Sequence, residues 1–204
     1  MKMFDSVVIA CDQSSLDCAQ ALRASLELFR LHVTLHFCVQ KRNVIDLLAG
    51  KIPDSQYVVL CSHGLGSTDM PDESPDAMKM GFFVVDEDEE NNFQSIQFAL
   101  TPANVSSFVH LPGRTVVSLG CGSGREPFGQ AFLESGCKAY IGPDGPPDQD
   151  SATLFAITFF YHLLCNGRDR SLQCSDEQAV LYANRVDVDF TEGTRLYRYY
   201  TKRG

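Results

Sequence analysis

The sequence predicts an α/β fold, in which helices cover both faces of a mainly parallel sheet. Three observations lead there. Short apolar runs at residues 7–10, 33–39, 57–61, 114–120 and 138–142 read as strands. Segments with helical periodicity or helix caps separate most of them, and that alternation selects parallel strands joined by helical crossovers. Glycine, proline and acidic clusters punctuate the boundaries.

The elements follow in order. Residues 7–10 open the sheet. Asp12, Gln13, Ser14 and Ser15 supply caps for an amphipathic helix from Leu16 to about Arg30, with Ala19, Leu22, Leu26 and Phe29 on one stripe. A strand at 33–39 precedes a short helix at 43–49 that Gly50 ends, and the next strand spans 57–61. After His63 the pattern breaks into an acidic loop, 67–79, containing Asp69, Asp72, Glu73 and Asp76. Residues 81–86 and 93–100 form the arms of a hairpin excursion around the acidic turn 87–92.

Thr101 then caps a helix running to about Val109, with Pro102 at its first position. A strand at 114–120, a helix at 126–136 and a strand at 138–142 lead into the Pro- and Gly-rich loop 143–147. Two final helices are expected at about 151–165, with Asp150 as cap, and at 175–184. Residues 194–200 add an edge strand. No repeat, low-complexity tract or long linker divides the chain, so residues 1–204 are read as one domain.

Composition narrows the function classes. With 204 residues, 44% hydrophobic and 21% charged, the chain suits one domain with a full core. A net charge of -9 argues against a nucleic-acid backbone or an anionic membrane as partner, since either calls for a basic face. Basic peptides match better. The first ten residues hold too short an apolar stretch for a secretory core, and no segment reaches the roughly 18 apolar residues of a spanning helix, so a cytoplasmic protein is expected. Eight cysteines without a Cys-x-x-Cys pair fit reduced core residues better than disulfides or structural zinc. No cofactor is expected.

Two of the strands end on residues suited to chemistry. Tyr57-Val58-Val59-Leu60-Cys61 runs into Ser62-His63-Gly64, and Thr115-Val116-Val117-Ser118-Leu119 runs into Gly120-Cys121-Gly122-Ser123-Gly124. Parallel strands present such ends on one edge, where ligands bind. A thiol there is set to attack, and an imidazole to move protons. Helix N–H groups near Glu126, with Arg125, favour the Cys121 thiolate. His32, His36, His110, His162, Cys61 and Cys137 are read as packing or surface residues.

The glycine-rich stretch 117–124 resembles the motif of S-adenosylmethionine-dependent methyltransferases, a resemblance that would assign Asp144 to the cofactor's ribose. Against it, Ser118 stands where those enzymes carry an acidic residue, and three core strands precede the motif. In the other register the region resembles the caspase-like cysteine peptidases, within them the CHAT group related to separase. The 58-residue separation of His63 and Cys121 is near the roughly 50 of caspases. Residues 131–142, 148–152, Phe159-Phe160-Tyr161, Leu163, Gly167, Glu177, Ala179 and Ala183 continue the likeness, which covers about 56–184; the Trp common in the CHAT loop is absent, with Gly145 near its place.

The resemblance implies a three-layer α/β/α caspase-like fold and a peptidase with Cys121 as nucleophile and His63 as acid and base. The oxyanion would sit on the N–H groups of Gly64 and Cys121, and no third member is required. Asp144 and Asp148, in the loop after the fifth strand, are the expected pocket carboxylates for a basic residue before the cut. The alternative from another class is a catalytically silent caspase-like module whose acidic loops recruit a basic partner.

Overall fold

A strand such as Val7-Val8-Ile9-Ala10-Cys11 has no polar face to give to water, so both of its faces need cover. The computed structural model describes residues 6–65, 79–87, 93–165, 174–186 and 197–202, and in it each strand of this kind is sandwiched. The main sheet comprises β1 (Ser6–Cys11), β2 (His32–Phe37), β3 (Tyr57–Cys61), β7 (Thr115–Ser118), β8 (Ala139–Pro143) and β9 (Tyr197–Thr201), in the order β2-β1-β3-β7-β8-β9. All neighbours are parallel except β8 and β9.

Side-chain alternation sorts the cover into two layers. Val7, Ile9 and Cys11 of β1 and Val59 and Cys61 of β3 pack with α1 (Leu16–Leu28), α5 (Gln149–Phe160) and α6 (Asp176–Ala183). Val8, Ala10, Val58 and Leu60 face the other way, onto α2 (Lys41–Leu48), α3 (Pro102–Phe108), α4 (Glu126–Glu134) and a second, antiparallel sheet. That sheet is the expected hairpin, β5 (Lys79–Glu87) and β6 (Phe93–Leu100), joined by β4 (His63–Leu65). Met80, Phe82 and Val84 of β5 are its core contribution.

Most boundaries fall within a few residues of expectation. Thr101 caps α3 with its side chain on the Asn104 N–H, and Pro102 begins the helix. The last turn expected of α5 instead widens into a π-helical segment, Tyr161–Cys165, which carries Leu163 into the core. Asp148, not Asp150, caps α5, accepting from the Ser151 N–H at 2.7 Å. The edge strand expected at 194–200 spans Tyr197–Thr201. The acidic loop 67–79, apart from Lys79, and the hairpin turn beyond Glu87 lie outside the described residues. Among those residues no helix is long and apolar enough to cross a membrane.

Two loops at the carboxyl end of the sheet are held by close backbone packing. Gly124 N–H donates to Pro143 O at 2.7 Å, and a Cβ on Gly124 would run into the Gly142 carbonyl. From the edge strand, Tyr200 Oη donates to Gly124 O at 2.7 Å and Arg198 pairs with Asp144. Gly124→Ala should therefore cost about 1–3 kcal/mol, as overpacking does, read as a lowered urea midpoint; an unchanged midpoint would contradict the packing described.

Candidate active site

Strand order decides which side chains meet. Because β2 and β3 flank β1, the chain reverses direction across the sheet at β1, and a crevice opens beyond the carboxyl ends of β1 and β3. β7 is hydrogen-bonded to β3, with Leu60 opposite Ser118, so the two chemistry-bearing turns leave neighbouring strands. His63 begins β4 directly after β3, where its pairing with Gly81 fixes its backbone. This short strand holds a glycine and has no hydrophobic period, which is why the sequence shows no sign of it.

Glycines bring the turns into contact. A Cβ on Gly64 would overlap the Cys121 carbonyl, and one on Gly120 would lie 2.8 Å from Ser62 Oγ. Gly122 adopts φ +67°, the left-handed region. Beneath the turn, Ser123 Oγ donates to Ser118 Oγ at 2.8 Å, and Tyr140 Oη donates to Ser123 O at 2.9 Å. The Cys121 thiol lies 3.7 Å from Pro147 O, and among the described residues no acceptor takes the Cys121 N–H. Cys121 lies on a turn ahead of α4 rather than on the helix's first turn, which differs from the helix-end setting expected.

His63 is anchored by residues that sequence reading assigned to helix capping. Asp12 is fully buried, and its Oδ1 accepts from Ser14 Oγ at 2.8 Å and from the Ser15 N–H at 3.0 Å. Oδ2 accepts from the Phe83 N–H of β5 at 2.7 Å and lies 3.6 Å from His63 Nε2. Ser14 Oγ is 2.7 Å from the same Nε2. With its proton given to Asp12, that hydroxyl accepts from His63 Nε2–H, which leaves Nδ1 for other work. Burial alone would push the Asp12 carboxyl up, but hydrogen bonds from His63, Phe83, Ser14 and Ser15 outweigh it and hold the group well below the usual carboxylate range. Adjacency of β1 and β3 brings Asp12, just past β1, beside His63, and that adjacency is not written in either segment.

A cavity of about 230 Å³ is lined by His63, Cys121, Cys18, Cys61, Asp148 and Ala152, among others. That volume accommodates one amino-acid side chain. Asp148 borders the cavity; backbone and side-chain hydrogen bonds from Ser151 lower its pKa. Asp144 is not among the lining residues, its carboxylate being paired with Arg198. The glycine-rich turn also follows the fourth parallel strand in chain order, and Asp144 is not left for a ribose. The methyltransferase resemblance is set aside on these grounds. No cluster among the described residues has metal-holding geometry.

No family model and no curated protein matches the sequence. Solved structures do match. A chain of the Saccharomyces cerevisiae separase–securin complex aligns over 98% of this chain at TM-score 0.59 and 12% identity. Gingipain R, an Arg-specific cysteine proteinase, aligns over 90% at 0.52 and 10%, and the complex of Porphyromonas gingivalis RgpB pro- and mature domains over 97% at 0.56 and 11%. The aligned region is 12% of the first of those chains, 43% of the second and 47% of the third. The fold is thus the caspase-like α/β/α sandwich.

The Asp12 anchor has a measurable signature. Its folded-state pKa is below that of an unfolded aspartate, near 3.8, so its contribution to stability is complete above that pH and falls as pH drops toward the folded-state value. Asp12→Asn should therefore lose stability at pH 7 and converge with the parent below about pH 4, in denaturant midpoints taken across pH. A gap that widens on acidification would contradict the assignment.

Proposed function

We propose that this chain is a cysteine peptidase of the CHAT–separase type, acting in the cytoplasm on peptide or protein substrates after a basic residue. The observation that carries the reading is the shared cavity of His63 and Cys121, with the imidazole Nε2 tied through Ser14 to a buried carboxylate. An imidazole held this way has one nitrogen committed and the other available, as a general acid and base requires.

In this mechanism His63 takes the Cys121 proton as Sγ attacks the scissile carbonyl. Negative charge develops on the carbonyl oxygen, toward which the N–H groups of Cys121 and Gly64 are the candidate donors. The C–N bond then breaks, His63 gives its proton to the departing amine, and a thioester remains. Water, deprotonated by His63, releases the acid and restores the thiol. Asp12 and Ser14 orient the imidazole and stabilise its charged form.

Burial supports Cys121 as the nucleophile by disfavouring its rivals. Desolvation pushes the Cys11 thiol up to about 11 and those of Cys38 and Cys137 up to about 12, and holds Cys61 well above its ordinary value. Cys121 is only partly buried, as are Cys18 and Cys174, and in this reading it is His63 as proton acceptor that sets Cys121 apart from those two. Limiting iodoacetamide should therefore modify Cys121 first, as thiolate fraction and exposure dictate. Cys121→Ala should abolish hydrolysis, and His63→Ala should lower it by about 10² to 10⁴. First labelling at Cys18, or full activity in Cys121→Ala, would sink the reading in favour of a silent interaction module.

The basic preference rests on Asp148. Its carboxylate, held below the usual range by hydrogen bonds from Ser151 and Asp150, is charged at neutral pH and lines the cavity. The other expected carboxylate, Asp144, is engaged by Arg198. A peptide library should show Arg or Lys before the cut, weakened more than about tenfold in kcat/KM by Asp148→Asn. A profile dominated by Asp or by small apolar residues would refute the preference.

A further inference from the structure

We propose that Phe83 forms a subsite for the residue that follows the scissile bond, and that this subsite takes a large apolar side chain. The inference rests on the peptidase reading of His63 and Cys121. Along β5 the side chains alternate, Phe82 and Val84 being buried in the core at 0% and 2% exposure, while Phe83 between them stands 42% exposed. A phenylalanine left open to water is held here at both ends. Its N–H donates to Asp12 Oδ2 at 2.7 Å, and its ring packs edge-on to the His63 imidazole with centroids 5.0 Å apart.

The chemistry fixes which part of a substrate meets it. The amine expelled from the tetrahedral intermediate must come within hydrogen-bond reach of His63, about 3 Å, to collect its proton. That amine belongs to the residue after the cut, whose side chain starts one carbon farther on. The exposed Phe83 ring, 5.0 Å from the imidazole, is an apolar surface within reach of that side chain. The cavity occupied by the residue before the cut is a separate place: His63 and Cys121 line it, and Phe83 does not. His63 thus stands between two subsites, one a cavity bordered by Asp148, the other the exposed Phe83 ring.

Two further apolar residues near the carboxyl end of β2 are exposed. Phe37, in register with Cys11 at the end of β2, is 42% exposed. Val39, 44% exposed, accepts through its carbonyl from the Val85 N–H at 2.7 Å, two residues along β5 from Phe83.

The test uses peptides with a fixed Arg before the cut and Gly, Asp, Lys, Leu or Phe after it, with both fragments quantified by mass spectrometry. In the wild-type chain, kcat/KM for Leu and Phe should exceed that for Gly about tenfold, the scale on which an apolar contact discriminates. Phe83→Ala should bring the ratio near one, and Phe83→Leu should keep most of it. Reading a ratio within each variant removes any change in His63 packing that affects all peptides alike. A wild-type ratio near one, or an apolar preference that survives Phe83→Ala, overturns the subsite. Cleavage of none of the peptides by the wild-type chain means instead that the peptidase reading has failed, and the subsite falls with it.

Discussion

The buried carboxylate of Asp12 is the constraint on which the site depends. An ionised group withdrawn from water costs several kcal/mol unless its oxygens are satisfied, and those of Asp12 are met by donors from separate parts of the chain. Ser14 and Ser15 belong to the start of α1, Phe83 to the hairpin sheet, and His63 to the turn after β3. Each donor is therefore held where the carboxylate needs it. A helix, a second sheet and an imidazole share one anchor, and none moves without leaving it partly unsatisfied.

The second constraint is steric. The turns after β3 and β7 approach so closely that Gly64 has room for no side chain against Cys121, and Gly120 almost none against Ser62. Hydrogen bonds then tie the Cys121 turn to β8 and β9 through Gly124, Pro143 and Tyr200. Each face of the sheet is filled by its own apolar cluster, and side chains of this kind contribute about 1.5–3 kcal/mol each when fully buried. That cover keeps the strands rigid enough to present the turns.

The elements legible from sequence were those governed by local physics. Apolar runs such as Tyr57–Cys61 and Thr115–Ser118 betray buried strands, and Thr101-Pro102 betrays a helix start, because each signal lies within its own segment. His63 and Cys121 were legible for the same reason, each standing at the end of such a run. What stayed hidden depended on distant partners. Asp12-Gln13-Ser14-Ser15 reads as a helix cap, and only the neighbouring β3 turns it toward a histidine. Asp144 looks available until Arg198, far along the chain, takes its carboxylate. Asp148 and Asp150 are both good caps, and the backbone path out of β8 chose the first.

The edge strand has a consequence for the order in which the molecule assembles. Parallel pairing joins residues far apart in sequence, so the turns bearing His63 and Cys121 meet only after long loops have closed, which is slow. Even then the cysteine turn lacks its outer brace until Tyr200 reaches Gly124 and Arg198 reaches Asp144. Because Tyr197 of the same strand stacks on Phe155 within the apolar cluster beneath α1, α5 and α6, docking of β9 completes that core and braces the Cys121 turn in one step.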